Sequence, residues 1–145
     1  MRRFEFRLAS VLSWRQLQLE MEQARLESLF AELRRIRARL AGLEAEKDAC
    51  ARAVLGLEAV AAAELSALEE YLKHAARRRD ALLAESAACE RRIAEQRRRV
   101  LEAERNTRLL ERLKERRLAE WRSGNDRELE ALATESFLAH WTRES

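Results

Sequence analysis

The sequence has few residues that break helices or force turns. Its 145 residues include no proline and only three glycines, whereas 38% of the residues are charged. Alanine, leucine, arginine and glutamate dominate the rest, and all four are strong helix formers. The scarcity of turn-forming residues excludes a domain of many short strands and predicts an all-α chain.

The sequence also lacks the residue patterns of several kinds of reactive site. The only histidines, His74 and His140, lie far apart without paired cysteines, so no zinc signature is present. The glycines are isolated, which excludes a glycine-rich phosphate loop. Carboxylates lie on charged helix faces, where they ordinarily pair with a base three or four residues away. The sequence therefore predicts no catalytic site, no metal site and no cofactor.

Long apolar runs are also missing. No run approaches the roughly 20 residues that span a bilayer. We therefore expect a cytoplasmic protein without direct membrane insertion. Cys50 and Cys89 do not make a disulfide framework, which agrees with a reducing compartment, and both are expected to be small buried side chains.

Neither sign of charge is in large excess. The chain has 29 basic and 26 acidic residues, with a net charge of +3. Arginine runs at 77–79 and 97–99 suggest an arginine-rich nucleic-acid binder as one alternative. Against it, glutamates on the same stretch would repel phosphate, and no aromatic residues are interleaved for base stacking. Solvated helix faces are the favoured interpretation, and no nucleic-acid partner is expected.

Apolar residues recur at alternating spacings of three and four in two stretches, which is typical of a coiled-coil seam. The first seam runs from Leu8 to Leu57 and the second from Leu65 to Leu110. Polar residues interrupt both seams, and long side chains can reach solvent from such positions. The interruptions are Arg15, Glu22 and Lys47 in the first seam and Arg79, Ser86, Gln96 and Thr107 in the second.

The seam lapses in mid-chain at residues 58–64, which predicts a turn there, with Gly56 as a moderate helix stop. We expect two long helices in an antiparallel coiled-coil hairpin, with helix 1 at about 4–57 and helix 2 at about 65–122. Such a turn pairs residues whose numbers add to about 122. The alternative is one unbroken helix that dimerises.

Residues 123–145 are predicted to form a short C-terminal helical extension, separate from the hairpin of residues 1–122. The Ser-Gly-Asn-Asp run at 123–126 is expected to break the helix, and the following residues resemble a capped helix start. Helix 1 has no residues left to pair with this tail. Its apolar side chains are therefore expected to dock on a partner, with Phe137 and Trp141 as candidates.

Aromatic residues gather near the two chain termini, which meet at one end of a hairpin. They could staple that end closed. They could also form a docking surface for another protein, because Trp, Phe and Arg are enriched in interface hot spots. These residues are Phe4, Phe6, Trp14, Trp121, Phe137 and Trp141.

Two short motifs resemble the FliJ family of flagellar type III export proteins. The run Phe-Glu-Phe-Arg-Leu at 4–8, continuing to Val11, Leu12 and Arg15, looks like the opening of that family. Residues 110–117 resemble its second signature, at about the expected distance. The length, polarity and hairpin architecture agree across the whole chain. Its alanine and arginine content also resembles the equivalent stalk of virulence type III secretion systems, the YscO-like family.

The resemblance implies a non-enzymatic cytoplasmic stalk, peripheral at the inner-membrane export apparatus. The open end would enter the pore of a hexameric type III export ATPase and promote its assembly and activity. The turn side would reach a membrane protein of the export gate, for which Tyr71 and His74 are candidates by position and residue type, and the tail would bind export chaperones. The ATPase-ring candidates are Phe4, Phe6, Leu8, Arg15, Glu111, Arg112, Lys114, Glu115 and Arg116.

A self-associating coiled-coil scaffold is the structural alternative to a stalk. Two helices bury little apolar surface by themselves, so packing on a partner or on another copy is physically expected. A scaffold should dimerise or polymerise alone, whereas a stalk should be largely monomeric.

Overall fold

The computed structural model describes residues 2–144, and in that range it contains two long α-helices and no strand. Helix α1 spans Ala9–Leu55 and helix α2 spans Ala62–Glu144. The two helices pack together as an antiparallel hairpin, which confirms the all-α prediction. The joining segment, residues 56–61, lies slightly earlier than the predicted turn.

Contacts between the helices follow the register expected from the position of the turn. Thr107 Oγ1 lies 3.3 Å from the carbonyl oxygen of Arg15. Arg92 Nη2 donates a hydrogen bond of 2.8 Å to Glu32 Oε1. In both pairs the residue numbers add to about 122, as a seam with its turn near residue 60 requires.

Residues 2–8 precede α1 and are not helical, although the sequence analysis placed the start of helix 1 at about residue 4. The carbonyl oxygen of Phe6 accepts a hydrogen bond of 3.1 Å from the amide of Ala9, the first residue of α1. Apolar and charged residues alternate from position 4 to position 8, and a period of two suits an extended chain better than a helix. The predicted start of helix 1 is therefore wrong by about one turn.

Helix α1 ends at Leu55, directly before Gly56. The φ of Gly56 is not positive, so this glycine does not act as a left-handed cap. Its amide donates a hydrogen bond of 3.0 Å to the carbonyl oxygen of Arg52, and an added Cβ would lie 2.9 Å from that same oxygen. Glycine therefore ends the helix here by letting the chain pass close to a last-turn carbonyl.

Helix α2 continues through residues 123–126, where the sequence analysis predicted a break. Ser, Gly, Asn and Asp each cost about 0.5–1 kcal/mol relative to Ala inside a helix. Ending the helix would cost more, because a second helix would need its own unfavourable nucleation, and no proline removes a backbone donor. The predicted helix break is wrong, and the division of the chain into residues 1–122 and 123–145 stays a prediction.

Contacts divide the chain into two compact units. Unit 1 consists of Met1–Glu20 and Leu101–Ser145, and unit 2 consists of Met21–Val100. Unit 2 has an apolar core of seam residues in two clusters, which agrees with the predicted seams. One cluster is Leu33, Ile36, Cys89 and Ile93, and the other is Leu43, Ala75 and Leu82.

Buried thiol and amide groups complete the interior of unit 2. Cys89 is fully buried, and its Sγ lies 3.5 Å from the carbonyl oxygen of Leu29. Cys50 is half-buried, and both cysteines are free thiols. Gln96 is buried, and its Nε2 donates to the carbonyl oxygen of Glu22 at 3.0 Å and to the Glu22 carboxylate. Two of the predicted seam interruptions therefore pair with each other.

Unit 1 has a smaller interior. Leu12, Ala103 and Thr107 are its buried seam residues. The Thr107 hydroxyl donates a 2.9 Å hydrogen bond to the carbonyl oxygen of Ala103 and also lies near that of Arg15. A polar seam position is thus satisfied by backbone oxygens from both helices.

Candidate partner-binding surfaces

The described residues offer surfaces for binding rather than an enclosed reactive site. Between residues 2 and 144, no group of three or more His, Cys, Asp or Glu side chains is placed to hold a metal ion. No helix in the same range has both the length and the hydrophobicity of a membrane span. The features that can be described as candidate sites are grooves and exposed helix faces.

The N-terminal groove lies in unit 1 between residues 2–8 and one side of α2. That side contributes Leu113, Arg117, Glu120 and Trp121. The Phe4 and Trp121 ring centroids are 6.0 Å apart, with an angle of 56° between the ring planes. This tilted contact is a favourable aromatic geometry, and it anchors the non-helical segment on α2.

The composition of the N-terminal groove is typical of a protein-binding surface. Phe4, Phe6 and Trp121 are half-buried, whereas Leu8 is exposed. Most of the charged side chains in the groove are arginines. Half-buried aromatic rings surrounded by arginine are the residues that carry most binding energy in interfaces.

The predicted ATPase-ring candidates do not form one cluster. Phe4, Phe6 and Leu8 share the N-terminal groove. Arg15 is half-buried and already engaged: its guanidinium stacks on Trp14 with 4.8 Å to the ring centroid, and its Nη1 donates to a neighbouring glutamine. None of the predicted contact residues of the second motif lies in this groove. The motif contributes only Leu113 and Arg117, which lie on the side of α2 that faces the N-terminal segment.

Arg112 lies instead in a shallow depression on the outer side of α2, together with Leu101, Arg105 and Arg108. The other predicted contact residues of the second motif are exposed, and they make no ion pair within residues 2–144. These residues are Glu111, Lys114, Glu115 and Arg116.

The groove residues on α2 were not among the predicted ATPase-ring residues, although Trp121 was in the aromatic set expected to staple or dock at the open end. The signal for them was the register, which places residue 4 opposite residue 118, one helical turn from Trp121. A helix starting at residue 4 would have directed the two phenylalanines differently. The non-helical N-terminal segment is what brings Phe4 to Trp121.

The two predicted export-gate candidates share a second groove, in unit 2. Tyr71, His74 and Arg78 line it on α2, and Arg39 and Gly42 on α1 form its other edge. The Tyr71 hydroxyl is buried and has no hydrogen-bond partner in the described part of the chain. Burial raises the pKa of Tyr71, and the nearby Glu46 carboxylate raises it further. Both effects favour the protonated hydroxyl, which is a hydrogen-bond donor.

The two predicted tail residues lie on an exposed surface of α2. The ring centroids of Phe137 and Trp141 are 6.4 Å apart, and the two side chains are 64% and 66% exposed. Leu129, Leu132 and Leu138 are exposed on the same segment. Large apolar groups this exposed at regular spacing are typical of an interaction surface.

The chain matches a known family. The family model described as "Flagellar FliJ protein" matches residues 4–131. The matched range contains most residues of the N-terminal groove, all of α1, and α2 up to residue 131. No curated protein and no solved structure matches the chain.

Proposed function

The chain belongs to the FliJ family of flagellar type III export proteins, and we propose that it serves as a non-enzymatic stalk for the hexameric export ATPase. In this role its unit 1 enters the ATPase ring and promotes ring assembly and ATP hydrolysis. The protein acts in the cytoplasm, at the inner-membrane export apparatus. The family match supports the flagellar system over the virulence-type alternative.

The N-terminal groove is the observation that carries the ring-binding proposal. It combines Phe4, Phe6 and Trp121 with several arginines in one accessible surface of unit 1. A ring subunit with an acidic, apolar inner surface would pair with the arginines and cover the rings. Leu8 and Arg112, which lie outside the aromatic contact, would provide additional contacts.

The Tyr71 groove supports the second part of the proposal, contact with a membrane protein of the export gate. The buried hydroxyl of Tyr71 lacks a partner, and His74 is exposed beside it. A carbonyl or carboxylate oxygen of the gate protein would satisfy that donor. The exposed tail residues Phe137 and Trp141 would bind an export chaperone.

The ring-binding proposal is tested with purified export ATPase. The full chain should stimulate ATP hydrolysis and shift the ATPase toward hexamers. The Phe4→Ala, Phe6→Ala double variant should need about tenfold more protein for half of the stimulation, because two anchor rings are removed. Leu83→Ala is the control, since Leu83 is exposed in unit 2. Equal stimulation by the double variant and the control would contradict ring binding through this groove.

The gate proposal needs a separate test. Tyr71→Phe removes only the hydroxyl and should weaken binding to the soluble domain of the gate protein several-fold. The same variant should stimulate the ATPase as well as the unmodified chain does. Unchanged gate binding by both Tyr71→Phe and His74→Ala would refute this groove as the gate contact.

A further inference from the structure

One face of α2 in unit 1 is uncovered, and its chemistry changes along its length. Its members recur every three or four residues, so they lie along one side of the helix. Ala119 lies midway along it. The first part, the basic half, contains Leu101, Arg105, Arg108 and Arg112, and the second part, the acidic half, contains Asp126, Glu130 and Phe137.

This face is free to bind another molecule. Leu101 is 61% exposed, and the other members are exposed as well. The N-terminal segment does not cover it, because that segment packs on Leu113 and Trp121 on the other side of α2. Within residues 2–144, no ion pair involves the charged members, which are Arg105, Arg108, Arg112, Asp126 and Glu130.

We propose that this face binds the same face of a second copy of the chain, with the two α2 helices antiparallel and a twofold axis at Ala119. In that arrangement the basic half of each copy lies on the acidic half of the other. A parallel arrangement would instead place arginines against arginines and carboxylates against carboxylates. Charge complementarity therefore selects both the partner and its direction.

The proposed register pairs residues whose numbers add to about 238, twice the number of the residue on the axis. Arg112 then faces Asp126 of the second copy, and Arg108 faces Glu130. The apolar members match in the same register, because Leu101 faces Phe137. Each of these pairs forms twice in a twofold dimer.

Ala119 at the axis supports this register. It would meet its own copy, and its small side chain permits the two backbones to approach closely.

The association should be weak and dependent on salt, because four exposed ion pairs hold the dimer and exposed charges are screened. The chain should therefore stay largely monomeric when dilute, as a stalk requires, and dimerise reversibly as its concentration rises. Arg112 is also a candidate for contact with the ATPase ring, so the dimer and the ring-bound stalk would exclude each other at this residue.

Sedimentation equilibrium of the full chain alone tests the proposal without any ATPase. The unmodified chain should show a concentration-dependent monomer–dimer equilibrium. Arg108→Glu or Glu130→Arg alone should weaken the dimer about tenfold, because each creates two like-charge contacts. The two substitutions together restore opposite charges and should return the affinity to within about threefold of the original.

Glu135→Arg is the matched control, because Glu135 is exposed on the other side of α2 and the substitution changes the net charge equally. It should leave the dimer unchanged. Circular dichroism should show the same helicity for all variants. If Glu130→Arg lowers the helicity, Glu130→Gln is measured in its place. A chain that stays monomeric to about 1 mM, or equal weakening by Glu130→Arg and Glu135→Arg, would overturn the proposal.

Discussion

Units 1 and 2 continue the same two helices but are stabilised by different contacts. Unit 2 combines buried apolar clusters with cross-helix ion pairs that join Arg37 to Glu90 at 3.3 Å and Arg92 to Glu32 at 2.8 Å. Unit 1 contains no cross-helix ion pair among its described residues. It also carries most of the large exposed apolar side chains, including three of the aromatic rings.

The difference indicates a division of roles between the two units. Apolar surface buried between two helices stabilises the hairpin, whereas exposed apolar surface gains free energy only when something else covers it. The apolar seam residues of unit 2 are buried against one another. Unit 1 leaves apolar side chains for partners, which agrees with the proposal that it contacts the ATPase ring and a second copy.

The largest effect is expected in the core of unit 2. Ile93→Ala should lower the free energy of unfolding by about 2–4 kcal/mol, because it leaves a cavity beside fully buried Cys89. Leu101→Ala in unit 1 removes an exposed side chain. This substitution should change the free energy of unfolding by less than about 0.5 kcal/mol. Urea unfolding followed by helicity measures both. Equal losses of unfolding free energy would show that the two units do not differ in how much their own buried contacts stabilise them.

The buried polar pair of unit 2 should have the next largest effect. Gln96→Leu removes two hydrogen bonds to Glu22 and should cost about 1–2 kcal/mol of unfolding free energy. Replacing Gln96 and Glu22 together by leucine should recover most of that loss, because no buried polar group is left without a partner. A double variant less stable than the single one would show that the pair contributes net stability.

The two mid-helix glycines give a smaller effect of opposite sign. An added Cβ meets nothing within 4 Å at Gly42 in unit 2 or at Gly124 in unit 1. Gly42→Ala should raise the free energy of unfolding by about 0.5–1 kcal/mol. Gly124→Ala should slow the deuterium exchange of the backbone amides that follow residue 124 in α2. An increase in stability at Gly42 without any change in exchange after Gly124 would indicate a frayed helix in the tail.

The smallest effect is expected at the exposed cross-helix ion pairs. Arg37→Ala breaks a contact between two side chains that are more than half exposed. It should change the free energy of unfolding by at most about 0.5 kcal/mol, and less at high salt. A loss comparable with that of Ile93→Ala would mean that ion pairs, rather than the apolar seam, stabilise unit 2.

Most of the fold could be predicted from spacing alone. Ile36, Leu82 and Ile93 fall on the predicted seams and are buried. The predictions failed where the secondary-structure preference of a few residues was weighed wrongly against their neighbours. Residues 123–126 are poor helix formers, but four such residues do not outweigh the nucleation of a second helix. Residues 4–8 were assigned to a helix although their alternation suits an extended segment.

The candidate site was less predictable than the fold. The sequence motifs pointed to Phe4 and Phe6, which lie in the N-terminal groove, but the groove is completed by Trp121, which the motifs do not include. Arg112 lies on another face of α2 because three or four residues separate neighbours on one side of a helix. The residues that the motifs name therefore do not form a single surface.

Hydrogen–deuterium exchange of the full chain, with and without the export ATPase, tests the central claim most directly. The account predicts that the ATPase slows exchange at residues 2–20 and 101–122 and leaves the core of unit 2, around Ile36 and Ile93, unchanged. Slower exchange confined to unit 2, with none in unit 1, would contradict the assignment of unit 1 as the ring-binding part of the chain.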